Sequence, residues 1–377
     1  RDFALRRLRA GDYRSVLVDA TDGEPALTRS PCVIACASTY WRNAWKYQAR
    51  AYRHCYWDSG TILANLLAGA ASRNIPANIV VGFVDITVSQ LLGLDSQREA
   101  PLCLVALGGA PTRRSERAPP MTTLSFETAP LSKRIIDYPA MREMHEASSL
   151  EAADEVAAWR EGKAEGGKMQ DDDKSQDLLV ALRPLNDEWI ARDSVDEVIL
   201  RRGSTRRFAR ESISFAELST MLDRASHDIA ADFLFGNGDS LNEIYLIVHA
   251  VDGLSPGAYF YRRGQRALHL LKAGDFRGEA GSLGLGQEIP ADSSVNVYFL
   301  ADLNSILKRF GNRGYRAAQL EAAITGGKLY LAAYALRLGA SGLTFFDDDV
   351  TEFFSPHAEA KSVMFLIGLG RSAKKRG

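Results

Sequence analysis

The chain has 377 residues, of which 46% are hydrophobic and 25% charged, with a formal net charge of −1. That length can bury one large core or two ordinary ones, and a near-neutral balance gives no global case for nucleic acid or an anionic membrane surface as partner. No apolar run reaches about 18 residues, which argues against a spanning helix.

The opening "RDFALRRLRAGDYR" lacks the apolar core of a secretory signal and contains no methionine. It predicts a cytoplasmic chain that starts inside a longer gene product. A strand follows at "PCVIACA", then a long helix near 43–73 that includes "WRNAWKYQARAYRHCYWDSG". Trp45, Tyr52 and Tyr56 recur near helical spacing and read as core. Lys46, Arg50 and His54 fall at i, i+4 and i+8, one basic face beside Tyr47. Lys46 and Tyr47 held together suit general acid–base work, and a plain interface helix is the competing reading. A β-rich run at "VVGFVD", a short helix and a final apolar strand complete this part. Cys32, Cys36, Cys55 and Cys103 show no CxxC spacing and predict reduced, buried thiols. The six histidines are scattered and predict no metal site.

Residues 111–190 read as a linker. They contain one helix near "MREMHEASSLEAADEVAAWRE" and a flexible acidic loop at "EGGKMQDDDKSQ". Next comes "RRGSTRRF" at 201–208. Arg202, Ser204 and Arg206 at i, i+2 and i+4 share one face of an extended stretch. Two cations, a hydroxyl and Gly203, where the backbone can come close, suit a phosphate. A solvated basic turn is the alternative, and spacing alone does not decide. A helix at "SFAELSTMLDRA" and the run "LNEIYLIVHAVDGLSPGAYFY" follow.

From there the chain repeats itself. "RAGDYR" at 9–14 returns as "KAGDFR" at 272–277, and "ARAYR" at 49–53 as "NRGYR" at 312–316, both at an offset of 263. "VVGFVD" at 80–85 faces "LTFFDD" at 343–348. "LLGLDSQREAPLCLVALG" at 91–108 faces "FFSPHAEAKSVMFLIGLG" at 353–370 after one residue is dropped. The order of elements is shared, including a second long helix near 314–338. Residues 1–110 therefore read as a partial first copy, without its N-terminal part. Residues 191–377 read as a complete second copy, ending in the basic tail "GLGRSAKKRG".

"LRRGSTRRF" resembles the opening motif of the flavin-dependent nitroreductase superfamily. "LNEIYLIVHAVDGLSPGAYFY", "AGDFR", "NRGYRAAQLEAA" and "LYLAAYALRLGASGLTFFDD" resemble, in order, its branch of SagB-type or ThcOx-like dehydrogenases, which includes oxidases of peptide azolines. The resemblance implies an α+β fold with a central mixed β-sheet flanked by helices. It implies that the two copies form an intramolecular pseudo-dimer, with further homo-oligomerisation left open. It implies FMN bound by Arg202, Gly203, Ser204 and Arg206, by Asn242 near the flavin ring, by the backbone of Gly342 and Leu343, and by Arg371 or Lys374. It implies Lys46 and Tyr47 as catalytic residues, where the second copy has Arg309 and Phe310. The expected partner is a small-molecule or peptide substrate at a site shared by the copies, with no nucleic acid and no membrane. An NAD(P)H-dependent nitro or quinone reductase and a flavin-free binding scaffold are the alternatives.

Overall fold

A computed structural model describes the chain except residues 1–3, 110–116, 125–128, 162–178, 191, 228, 235, 237 and 374–377. The predicted acidic loop and Lys374 fall outside the described residues.

The first half runs α1 (Arg14–Ala20), α2 (Pro25–Thr28), β1 (Cys32–Thr39), α3 (Trp41–Tyr47), α4 (Ala51–Ala71), β2 (Ala77–Val80), α5 (Asp85–Leu92) and β3 (Glu99–Leu107). Two helices, α6 (Pro139–Ala147) and α7 (Ala153–Glu161), and a short strand β4 (Leu179–Ala181) lie in the connecting stretch. Then come α8 (Val195–Arg201), β5 (Ile213–Ser214), α9 (Phe215–Ala225), β6 (Glu243–Val248), β7 (Val251–Asp252), β8 (Gly257–Arg262) and β9 (Ala267–Ala273). The chain closes with α10 (Arg277–Leu283), α11 (Glu288–Asp292), β10 (Val295–Ala301), α12 (Leu303–Phe310), α13 (Arg313–Ala335), β11 (Gly339–Gly342), α14 (Asp347–Phe354) and β12 (Ser362–Gly370).

This last series restates the first half element for element. Gln48, which ends α3, and Gly311, which ends α12, both have positive φ, 54° and 57°, at the offset of 263. Asn74 and Arg337, just past the two long helices, match in the same way at 54° and 60°. The ladder of β1 with β3 skips a residue after Cys36, and that of β10 with β12 skips one after Phe299. Two ladders with the same irregularity at the same place are one architecture written twice.

The expected drop of one residue is real but lies earlier than "LTFFDD" suggests. The long-helix turns agree at 263, whereas β2 and β11 already agree at 262. Pro76 is the extra residue, so Asp85 corresponds to Asp347 and Phe83 to Phe345.

The strands form a three-stranded sheet, β1-β3-β2, and a seven-stranded sheet, β11-β12-β10-β6-β8-β9-β4. All these neighbours are antiparallel. Parallel pairing enters through β5 with β7 and through the bridge of Ser204 to Ala340, beside β11. β4 joins the large sheet, so the connecting stretch supplies a strand as well as helices. Its one expected helix is two, broken between Ala147 and Ala153.

The long helices α4 and α13 pack along the pseudo-twofold. A Cβ on Gly60 would come within 2.5 Å of the Cβ of Ala323, and one on Gly327 within 2.6 Å of that of Ala64. Each glycine thus faces its own counterpart, the mark of a self-complementary contact. The predicted helix 43–73 is broken at 48–50, where Gln48 turns the chain. Trp45 is consequently 64% exposed rather than core, while Tyr52 and Tyr56 are buried as expected. Gly60→Ala should destabilise the chain by about 1–3 kcal/mol, because the added methyl meets backbone atoms of Ala323 and Ile324 at 2.9 Å. A denaturant midpoint equal to that of the parent chain would show that the helices separate freely.

Candidate functional site

The octet lies between two well-capped helices. Ser194 and Glu197 form a reciprocal cap on α8, and Ser214 and Glu217 do the same on α9. After Arg201 the backbone becomes extended and threads between β11 and the chain after β12. Thr205 N–H donates to Ala340 O at 2.8 Å, Ala209 N–H to Arg371 O at 2.9 Å, and Ala373 N–H to Arg207 O at 2.9 Å. Extended geometry buries Thr205 and Phe208 and turns Ser204 and Arg206 outward. The octet thus leaves the end of α8 at Arg201 and continues as extended chain.

Arg202 reaches across to the first half, its Nε donating to Asn65 Oδ1 on α4 at 2.8 Å. Its guanidinium lies 6.0 Å from the ring centre of Tyr330 on α13. The Tyr330 hydroxyl is 3.3 Å from that of Ser204 and also accepts the Gly342 N–H. Asn65 and Tyr330 were not singled out in the sequence. The available signal was the pair Tyr330 and Tyr334, four residues apart near the end of α13.

The other predicted residues divide. Arg371 sits beside the octet, donating to Ser212 O at 3.0 Å and lying 3.6 Å from Glu217. Gly342 and Leu343 pass the site, but their amides are already engaged, the first with Tyr330 and the second with Leu366 O at 3.0 Å. Asn242 is buried in a separate network. Its Nδ2 donates to Glu321 Oε2 at 2.6 Å and to Ala318 O at 2.9 Å. Ser240 and the Leu241 amide also bond Glu321, whose carboxyl burial pushes above its usual range. Glu321 precedes Tyr330 by nine residues, about 13 Å of helix.

Lys46 and Tyr47 end α3, Lys46 exposed and Tyr47 half-buried. The Lys46 ammonium lies 4.9 Å from the Tyr47 ring centre, and that ring stacks on His54 at 3.8 Å and 14°. Burial first, then Arg50, Arg53 and Lys46, brings the His54 pKa down to about 3, so the ring is neutral. Edge-on ring contacts lead on from His54 to Trp57 at 4.4 Å and from Trp57 to Phe365 at 5.4 Å. Trp57 also donates to Gln319 of the second half at 2.6 Å. A Cβ on Gly342 would lie 3.3 Å from the Phe365 ring, which closes the chain of contacts to the octet.

The expected row of Lys46, Arg50 and His54 does not form, since the break at 48–50 turns Arg50 elsewhere. Arg50 and Arg53 hold Asp347 at 3.0 and 2.6 Å, and Arg50 also donates to Phe345 O at 2.7 Å. Their counterparts, Arg313 and Arg316, hold Asp85 at 2.6 and 2.7 Å, and Arg313 donates to Phe83 O at 3.2 Å. Each half thus clamps the other's aspartate. The Asp85 clamp is buried and also takes in the connecting stretch through Ser148 and His145.

A cavity of about 680 Å³ opens between α4, α13, α8 and α9, lined by residues such as Leu67, Val198 and Leu331. None of the predicted site residues lines it. No group of metal-ligating side chains occurs among the described residues, and no described helix is long and apolar enough to cross a membrane.

An α+β fold written twice, with a basic octet at the contact of the halves, defines the class. The chain belongs to the nitroreductase family, whose model matches residues 2–109 and 199–371. It is 24% identical over 164 residues to a Methanocaldococcus jannaschii protein, an alignment covering 42% of this chain and 82% of the relative. It superposes on a crystal structure from Anabaena variabilis with a TM-score of 0.75 and 27% identity, covering 96% of this chain and 73% of that one. Both relatives carry the name "putative nitroreductase".

Proposed function

We propose that this oxidoreductase depends on FMN and acts on a peptide azoline or a related small organic substrate, at a site between its two halves. The observation that carries the reading is the contact of Arg202 with Asn65, which brings the phosphate-type motif of one half against the long helix of the other.

The residues fit the phosphate end of the cofactor. Arg206 and Ser204 face outward, Arg202 is half-buried beside them, and a Cβ on Gly203 would meet nothing within 4 Å. Arg371 adds a cation at the same end. The ring end is less open, because the Gly342 amide would have to exchange its bond to Tyr330. Asn65, which meets Arg202, and His54, which carries Tyr47, are eleven residues apart on α4, about 16 Å of helix. That span suits an elongated cofactor with its phosphate at one end and its reactive ring at the other.

When bound, FMN supplies the two-electron chemistry. The chain's own part is binding, orientation and proton handling. Arg202, Ser204 and Arg206 hold the phosphate, Tyr47 is fixed by its stack on His54, and Lys46 moves a proton at its Nζ. The test is reconstitution with FMN followed by visible absorbance of the desalted protein. Arg206→Ala removes one charge-assisted contact and should weaken FMN by about 1.5–3 kcal/mol, a ten- to hundred-fold loss of affinity. Undiminished affinity would remove Arg206 from the site. A chain that takes up no flavin would favour the scaffold reading.

A further inference from the structure

Cys36 and Cys103 stand directly opposite each other in the antiparallel ladder of β1 and β3. Opposed residues on such a ladder send their side chains to the same face, with Cβ atoms about 4.5–5.5 Å apart. A disulfide needs Cα atoms about 4.4–6.8 Å apart and Cβ atoms near 3.8 Å. The backbone is therefore already within bonding span, and a small closure of the ladder completes the geometry.

The neighbouring Cys103 holds the Cys36 thiol below its ordinary pKa, while Cys36, followed by burial, pushes Cys103 up. Cys36 is half-buried on the outer strand of its sheet, while Cys103 is fully buried. One thiol is thus reachable and disposed to ionise, with a second waiting against it. That is the arrangement of an attacking and a resolving cysteine.

The other two cysteines do not share it. Cys32 is exposed and lies opposite Leu107. Cys55 is buried on α4, donates to Ala51 O at 3.4 Å, and has its pKa pushed up to about 12 by burial. The repeat supplies an internal comparison. The matching ladder positions of the second half are Phe299 and Phe365, opposed beside the same irregularity. The first half alone places two thiols where the fold otherwise packs two aromatic rings.

We propose that Cys36 and Cys103 form a peroxide-responsive dithiol that closes to an intramolecular disulfide. The Cys36 thiolate attacks one oxygen of hydrogen peroxide, which with one proton gives the Cys36 sulfenic acid and water. The Cys103 sulfur then attacks the Cys36 sulfur. The S–S bond forms, the S–O bond breaks, and the hydroxide leaves as water with the Cys103 proton. Two thiols and one peroxide give one disulfide and two waters, a two-electron oxidation throughout.

The place in the fold gives the bond a consequence. Among the described residues β1 has one sheet neighbour, β3, and it leads through Tyr40 into α3, which carries Lys46 and Tyr47. Closing the bond fixes that strand, and with it the base of α3, to the buried strand beneath.

The experiment treats the full chain with hydrogen peroxide, alkylates remaining thiols and maps peptides by mass, with and without reductant. The expected product is a linked pair of peptides holding Cys36 and Cys103, lighter by two hydrogens and separated by reductant. Two alkylated sites, Cys32 and Cys55, should remain. Cys36→Ser should abolish the link, whereas Cys32→Ser should leave it intact. The oxidised parent should also melt at a higher temperature than the reduced one, a difference absent in Cys36→Ser. Oxidation of Cys36 to the sulfinic acid with Cys103 still free would overturn the proposal. So would a link to Cys32, or no reaction at either thiol at a peroxide concentration that modifies Cys32.

Discussion

Asp85→Ala should cost the chain about 3–5 kcal/mol of stability, a loss measured as a lowered denaturant midpoint. The carboxylate receives Arg313 and Arg316, whose side chains are 1% and 0% exposed. Removing it leaves two buried guanidiniums side by side with no counter-charge, and that uncompensated pair, rather than the lost attraction, makes the effect large. Asp85→Asn keeps the shape and should lose nearly as much. Asp347→Ala removes the matching group of the other clamp, where the carboxylate and Arg50 are about a third exposed. Water reaches that clamp, so its loss should be on the order of 1 kcal/mol or less. Equal effects at the two aspartates would refute the difference in burial.

The same clamp sets part of the acid response. Burial alone would raise the Asp85 pKa, but Arg313 and Arg316, with His145, bring it down to about 2. A depressed carboxyl stabilises the fold above its unfolded pKa, near 3.9, and that contribution is lost as pH falls toward 2. It amounts to about 2–3 kcal/mol. Neighbouring His145 acts over a higher window. Burial, then Arg316, brings its pKa down to about 3, so between about 6.5 and 3 the unfolded chain binds a proton that the fold does not. Stability should therefore begin to fall below about pH 6.5 and fall further below about pH 4. A midpoint constant from pH 7 to 5 would contradict the neutral state of His145.

Lys46→Ala should slow substrate turnover by about 10²–10⁴-fold while leaving FMN bound, if Lys46 handles the proton. Tyr47→Phe should slow it less, because the ring can still stack on His54 as Tyr47 does at 3.8 Å. The second half supplies a structural control. Arg309 lies 4.8 Å from the ring centre of Phe310, the same geometry without the phenol. Stacking of a cation on an aromatic ring is thus part of the repeated architecture, and only the chemistry of the residues separates the two places. Pre-steady-state reduction of the bound flavin is the informative measurement, since it isolates the proton-coupled step from product release. Full activity in both variants would return Lys46 and Tyr47 to a packing role.

The repeat was legible because its anchors are whole motifs. "AGDYR" and "AGDFR" carry the turn before α1 and α10, and the Leu-Gly ends mark the last strands. The break before α4 was hidden because its positive φ falls on Gln48, a residue that carries no turn signal, whereas its counterpart is Gly311. The octet's spacing was compatible with an extended or a turn-like stretch, and the hydrogen bonds to Ala340 and Arg371 make it extended. The clamps were missed although their parts were in view: Arg-x-x-Arg at 50–53 and 313–316, and an aspartate at 85 and 347. Spacing shows that such charges recur but not that they cross between halves. Asn242 had the residue type of a ligand, but only the fold reveals that Glu321 already takes its amide.

The crossed clamps also bear on how this chain can change. A charge altered in the aspartate of one half has its remedy in the arginines of the other, more than two hundred residues away in sequence. At the buried clamp a change in Asp85 leaves Arg313 and Arg316 without their counter-charge, so one half cannot be altered there without consequence for the other. Two stretches of like architecture are tied to each other by the ion pairs that cross between them.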